Sequence, residues 1–99
     1  MMAKLLIKKK DGNLQISALS GERFNIGRQE ENDLVLSDKT VSRVHASIIF
    51  QPTLKIWLIN NLSQTNPVFV NNAELLKKAV LFDQDIIEIG IYNLKFVEE

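Results

Sequence analysis

Arg28, Ser42 and Arg43, with Gly27 before the first, stand at loop–strand junctions in the stretch from Phe24 to His45. Gly27-Arg28 ends one apolar run, and Val41-Ser42-Arg43-Val44-His45-Ala46 opens another, with Asn32-Asp33-Leu34-Val35-Leu36 between them. A guanidinium offers a planar fork of donors that suits phosphate oxygens better than the point charge of lysine. A serine hydroxyl adds a further donor for the same oxygens. Groups placed at loop–strand junctions of a rigid β-scaffold are where binding chemistry usually lives. The set predicts a small pocket for one phosphate carried on a peptide.

Other chemistry fits these residues less well. Ser42 and His45 stand three apart, as a nucleophile and its base could, but no oxyanion-hole signature accompanies them. His45 is the only histidine and there is no cysteine, so a zinc site would need a set dominated by carboxylates. Catalytic residues, metal ligands and cofactors are therefore not expected, and His45 reads as a structural histidine bridging loops. Plainer roles stand beside the binding ones. Ser42, Thr65 and Asn66 are turn formers, and Arg43 could pair with Asp38 at the surface for ~0–1 kcal/mol.

Composition narrows the class. The chain has 99 residues, 45% of them hydrophobic, enough for the core of a single domain over residues 1–99. No apolar run approaches the ~20 residues of a spanning helix, and residues 1–6 lack the pattern of a secretory leader. With no cysteine, a cytoplasmic location is expected. Twelve basic and twelve acidic residues cancel, whereas a nucleic-acid binder needs a basic surplus to displace counterions. Neither a nucleic acid nor a membrane is expected as partner, and the Lys8-Lys9-Lys10 run reads as the solvated end of a hairpin. Glu30, Glu31, Asp33 and Asp38 crowd the two arginines in sequence. That background leaves room for one phosphate pocket, not for a backbone-tracking groove.

The elements that must position the pocket are strands. Ala3, Leu5 and Ile7 alternate with Lys4, Leu6 and Lys8, the period of two of a strand with one buried face. Asp11-Gly12 suits a tight primed turn, after which Leu14, Ile16 and Ala18 alternate back as the second strand of a hairpin. Phe24 with Ile26 forms the next inward pair. Residues 45–51 and 54–60 read as strands around a Pro52-Thr53 turn, the second with Trp57 and Ile59 facing inward together with Leu62. Val68-Phe69-Val70 is a short strand and Asn71-Asn72 a tight turn. Residues 75–81 are the one stretch that could hold a helical turn, although the spacing does not sustain it. Ile87 with Ile89, and then Tyr92, Leu94 and Phe96, complete the alternation. Short strands with turn signals every eight to twelve residues indicate an all-β antiparallel sandwich or barrel.

The blocks that suggest the pocket also carry a family pattern. Phe24-Asn25-Ile26-Gly27-Arg28, Asn32 to Leu36, Val41 to Ala46, Leu62-Ser63-Gln64-Thr65-Asn66, Val70-Asn71, and Leu81 followed by Asp85 to Gly90 occur in the order and spacing of the forkhead-associated (FHA) domain. The chain resembles that family over nearly its whole length. The resemblance implies a two-sheet antiparallel β-sandwich of eleven strands with ligand loops at one end. It further implies binding of phosphothreonine in a partner protein, a Ser/Thr kinase or its substrate, by a chain expected to be monomeric. On the positions that match, Arg28, Ser42, Arg43 and Thr65 would hold the phosphothreonine and Asn66 the peptide backbone. Gly27 and His45 would shape the loops. A phosphate with about −1.5 to −2 charges and three acceptor oxygens suits that set.

One departure stands out. The family usually has Gly-Thr after the asparagine, where this chain has Pro67-Val68. Proline fixes φ near −65° and biases the preceding residue to extended backbone, so either the turn differs or Asn66 is displaced. The alternative function is therefore a phosphate-independent interaction domain of the same fold. Lys39, Thr40 and Gln64 are the loop positions that would choose the flanking sequence.

Overall fold

Eleven short strands alternate between two sheets in the computed structural model, which describes residues 2–99. They are β1 (Ala3–Lys9), β2 (Leu14–Ala18), β3 (Arg23–Gly27), β4 (Leu34–Val35), β5 (Ala46–Gln51), β6 (Ile56–Asn61), β7 (Val68–Val70), β8 (Ala73–Leu75), β9 (Lys78–Leu81), β10 (Ile86–Ile89) and β11 (Tyr92–Glu98). One sheet runs β2-β1-β11-β10-β7-β8 and the other β4-β3-β5-β6-β9. All ladders are antiparallel except β3–β4, where Ile26 faces Leu34 and Gly27 faces Val35 in parallel. The resemblance implied this sandwich, apart from that parallel pair.

The alternating residues fill the space between the sheets. Leu5, Ile7, Ile87, Ile89, Leu94 and Phe96 come from the first sheet, and Phe24, Ile26, Ile48, Ile59 and Leu81 from the second. Trp57 packs between the rings of Phe50 and Phe96, at centroid distances of 4.8 and 5.9 Å. Full burial of each such side chain contributes about 1.5–3 kcal/mol, which makes the sandwich a firm support for the loops at its end.

The turns follow local chemistry. Asn71 and Asn72 both take positive φ, 52° and 69°, as a two-residue primed turn between β7 and β8 requires. Gly90, with φ 57°, opens the two-residue turn from β10 to β11. A Cβ there would run into the hydroxyl of Thr40, so this turn packs closely on the loop between β4 and β5. The Asp11 turn is not primed. Only Asp11 is left-handed, at φ 65°, while Gly12 N–H donates to the Lys9 carbonyl at 2.8 Å.

Two other expectations are corrected, and the spacing of residues 75–81 is upheld. In the β1–β2 register Ser17 stands opposite Leu5 and Gln15 opposite Ile7, so Leu14 and Ile16 point outward and are 59% and 61% exposed. Leu62 lies just past the end of β6 and is 41% exposed, whereas Trp57 and Ile59 are buried. Residues 75–81 hold no helical turn; they contain the end of β8 and all of β9, which belong to different sheets.

Candidate phosphate-binding cleft

The loops after β3, between β4 and β5, and between β6 and β7 meet at one end of the sandwich. They enclose a polar cleft of about 300 Å³ lined by Arg28, Lys39, Ser42, Arg43, Thr65 and Asn66, with Val41 beneath. The five residues predicted to touch ligand are all there. No carboxylate lines the cleft.

The first loop is held against the second by backbone bonds. Arg28 N–H donates to the Ser42 carbonyl at 3.0 Å and Gln29 N–H to the Arg43 carbonyl at 3.2 Å. Asn32, only 8% exposed, donates its side-chain amide to the carbonyls of Gln29 (2.8 Å) and Arg43 (2.7 Å). Gly27 lies under this crossing, where a Cβ would collide with the Arg43 carbonyl and sit 2.8 Å from Asn32 Nδ2. Arg28 Nε donates to the Val41 carbonyl at 3.0 Å. The guanidinium is thereby anchored at Nε, and Arg28 lines the cleft.

His45 ties the second loop to the third. It is fully buried. Its Nδ1 accepts the main-chain N–H of Ser42 at 2.9 Å, which leaves the ring proton on Nε2, 3.2 Å from the Pro67 carbonyl. Burial holds its pKa below the usual imidazole value, against the opposing pull of the Pro67 and Asn66 carbonyls. Both ring nitrogens are engaged with backbone, so the ring does not take the Ser42 hydroxyl proton. That hydroxyl instead meets Ser63 Oγ at 2.6 Å.

Ser63 was not singled out as a site residue from the sequence. Its oxygen accepts the N–H of Asn66 at 3.1 Å, and its own N–H donates to Asn61 Oδ1 at 2.9 Å. The only advance signal was its place in the Leu62 to Asn66 block. Asn66 keeps negative φ before Pro67 and still lines the cleft, so the proline does not remove it from the site.

The four acids that crowd the arginines in sequence are turned away. Asp33 Oδ2 accepts Asn25 N–H at 2.7 Å. Asp38 accepts both the N–H (2.9 Å) and the hydroxyl of Thr40. Those bonds, the hydroxyl first, hold the Asp38 carboxyl below its ordinary pKa, with help from Lys9 and Lys39. No ion pair joins Asp38 to Arg43; among the described residues the ion pair is Lys4–Glu99 at 3.8 Å. Glu30 and Glu31 are exposed outside the cleft. Among the described residues no cluster of three His, Cys, Asp or Glu could hold a metal ion.

Known proteins resemble this chain in sequence or in fold. The ABC transporter ATP-binding/permease protein Rv1747 of Mycobacterium tuberculosis is 36% identical over 89 residues, which are 86% of this chain and 10% of that protein. The solved structure of EmbR from Mycobacterium tuberculosis, in complex with a low-affinity phosphopeptide, matches at 31% identity and TM-score 0.86 over 97% of this chain and 24% of its own. A structure solved in a study of phosphothreonine-dependent FHA domain interactions matches at 27% identity and TM-score 0.88, over 100% of this chain and 98% of its own. This chain thus spans a small fraction of the two larger proteins and the whole of an isolated domain. The profile of the FHA domain matches residues 24–90, from β3 through the start of the β10–β11 turn, and with the eleven-strand sandwich it shows that the chain belongs to the FHA domain family.

Proposed function

We propose that this chain is a phosphothreonine-dependent binding module, which docks a phosphorylated segment of a partner protein, a Ser/Thr kinase or its substrate, in the cytoplasm. One observation carries the reading. Arg28, Lys39 and Arg43 converge with the hydroxyls of Ser42 and Thr65 on a single cleft that no carboxylate lines. A dianionic phosphate is the ligand that such a set neutralises and whose three oxygens it can satisfy. Arg28 and Arg43 serve as the charged forks, and Ser42 and Thr65 donate hydroxyl hydrogens. Asn66 can donate and accept at once, as gripping a peptide group requires. Gly27 and His45 hold the loops in register and stand clear of the ligand.

Calorimetric titration with a degenerate phosphothreonine peptide library, beside its phosphoserine and unphosphorylated versions, tests this directly. Binding by the phosphothreonine version alone is expected. Arg28→Ala should weaken it by at least ~2 kcal/mol, since a charge-assisted bond contributes about 1.5–3 kcal/mol. Equal binding of the unphosphorylated version, unaffected by Arg28→Ala, would instead point to a phosphate-independent interaction domain.

A further inference from the structure

A second cavity is larger than the phosphate cleft. It is an open trough of about 620 Å³ between the β1–β2 and β10–β11 turns, and Lys8, Lys9 and Lys10 form one side of it. We propose that this trough is a second anion subsite, which takes an acidic tract of the same phosphorylated segment that the cleft holds. The proposal rests on the phosphothreonine reading and extends it to the sequence that the partner must carry.

Continuity with the cleft is the first reason. A hollow of about 210 Å³ lies between them, lined by Thr40, Asn66, Pro67 and Phe69. It shares Asn66 with the cleft and shares Glu88, Gly90 and Ile91 with the trough. The strand register gives the same path. Phe69 stands opposite Glu88, Glu88 opposite Asn93, and Asn93 opposite Lys8, in one row across the outer face of the six-stranded sheet. Three strand spacings of about 4.8 Å separate Phe69 from Lys8, and the step from Asn66 through Pro67 into β7 at Phe69 adds roughly 10 Å. An extended peptide at about 3.3 Å per residue covers that path in roughly five to seven residues.

Charge is the second reason. Lys8, Lys9 and Lys10 are exposed, and none forms an ion pair or donates a side-chain hydrogen bond among the described residues. Asp11 and Glu88 line the same trough, yet neither comes within bonding distance of a lysine, and the cations outnumber them. Lys9 also acts on Asp38 across the loop, as Lys8 and Lys10 do not. Compact, flexible ammonium charges suit side-chain carboxylates, for which no fixed fork geometry is needed. The trough is preformed, because Lys10 N–H donates to the Ile91 carbonyl at 3.3 Å and ties the two turns together.

The test compares four phosphothreonine peptides of equal length by fluorescence anisotropy. One has neutral flanks, one carries three glutamates five to seven residues after the phosphothreonine, one carries them before it, and one carries a second phosphate in their place. Glutamates on one side should tighten binding by about three- to tenfold at low salt, as a few screened charge pairs allow. The gain should vanish in the Lys8→Ala/Lys10→Ala double variant and grow in Glu88→Gln, while the neutral peptide binds all three proteins alike. No gain on either side, or a gain that survives loss of both lysines, overturns the proposal. A gain with the second phosphate alone overturns the acidic-tract assignment. Failure of the phosphothreonine reading shows separately, as loss of binding by the neutral peptide itself.

Discussion

Removing the hydroxyl of Ser63 should weaken phosphopeptide binding even though that side chain does not line the cleft. A serine oxygen has one proton and two lone pairs. One lone pair of Ser63 is used by the N–H of Asn66 at 3.1 Å, and the Ser42 hydroxyl lies 2.6 Å away. When Ser63 gives its proton to Ser42, the Ser42 proton is free to point at a phosphate oxygen. Ser63→Ala removes that orientation and strips Asn66 N–H of its acceptor. Two neutral hydrogen bonds at ~0.5–1.5 kcal/mol each predict a stability loss of about 1–3 kcal/mol. For binding, the released Ser42 hydroxyl must select one of three staggered positions, a cost of about 0.6 kcal/mol. With a looser Asn66 added, the loss comes to about 0.7–1.4 kcal/mol, or roughly three- to tenfold in affinity. Calorimetry on the wild type, Ser42→Ala, Ser63→Ala and the double variant forms a cycle. Its coupling energy should exceed ~0.5 kcal/mol, since independent sites add to within about 0.3–0.5 kcal/mol. Ser63→Thr, which keeps the hydroxyl, should recover most of the affinity. Strict additivity, or unchanged affinity in folded Ser63→Ala, would refute the relay.

Two further outcomes follow from the loops. Gly27→Ala drives a methyl group into the Arg43 carbonyl and Asn32 Nδ2. Such overpacking should cost about 1–3 kcal/mol in urea unfolding and weaken phosphopeptide binding by spreading Arg28 from Arg43; a variant as stable as the wild type would contradict the close crossing. The pH dependence of stability reports on His45, whose folded pKa is lowered by burial. The unfolded chain binds the proton more readily, so this contribution is complete above pH ~6.5 and declines as pH falls below it, by at most about 1.4 kcal/mol per pH unit. Urea unfolding between pH 7.5 and 5 should show that decline and His45→Gln should flatten it; an equal slope in the variant would assign the effect elsewhere.

Strands with one face on the core were legible because burial and pleat share a period of two. Ala3, Leu5 and Ile7 are buried as their alternation implies, and Asn71-Asn72 forms its turn from its own tolerance of positive φ. The β2 strand was not legible. Its apolar residues alternate as well as those of β1, but Gln15 on the core-facing side is itself exposed, so burial does not select between the two faces of this strand. Residues 75–81 lack a clear alternation for another reason. The chain changes sheets between β8 and β9, and each strand is too short to establish an alternation of its own.

The types of the cleft residues and their order were set by the sequence. Arg28, Ser42 and Arg43 could be named from local junction chemistry, and Thr65 and Asn66 only from the family order of the blocks. What only the tertiary structure decided is the balance of charge around them. In sequence, four acids crowd the arginines as closely as any cation does. In three dimensions, the amides of Asn25 and Thr40 draw Asp33 and Asp38 aside, Lys39 turns in, and Ser63 arrives from a loop twenty-one residues beyond Ser42. Hydrogen-bond geometry selects which neighbours a charge meets, and that selection depends on long-range strand pairing that adjacency along the chain does not encode.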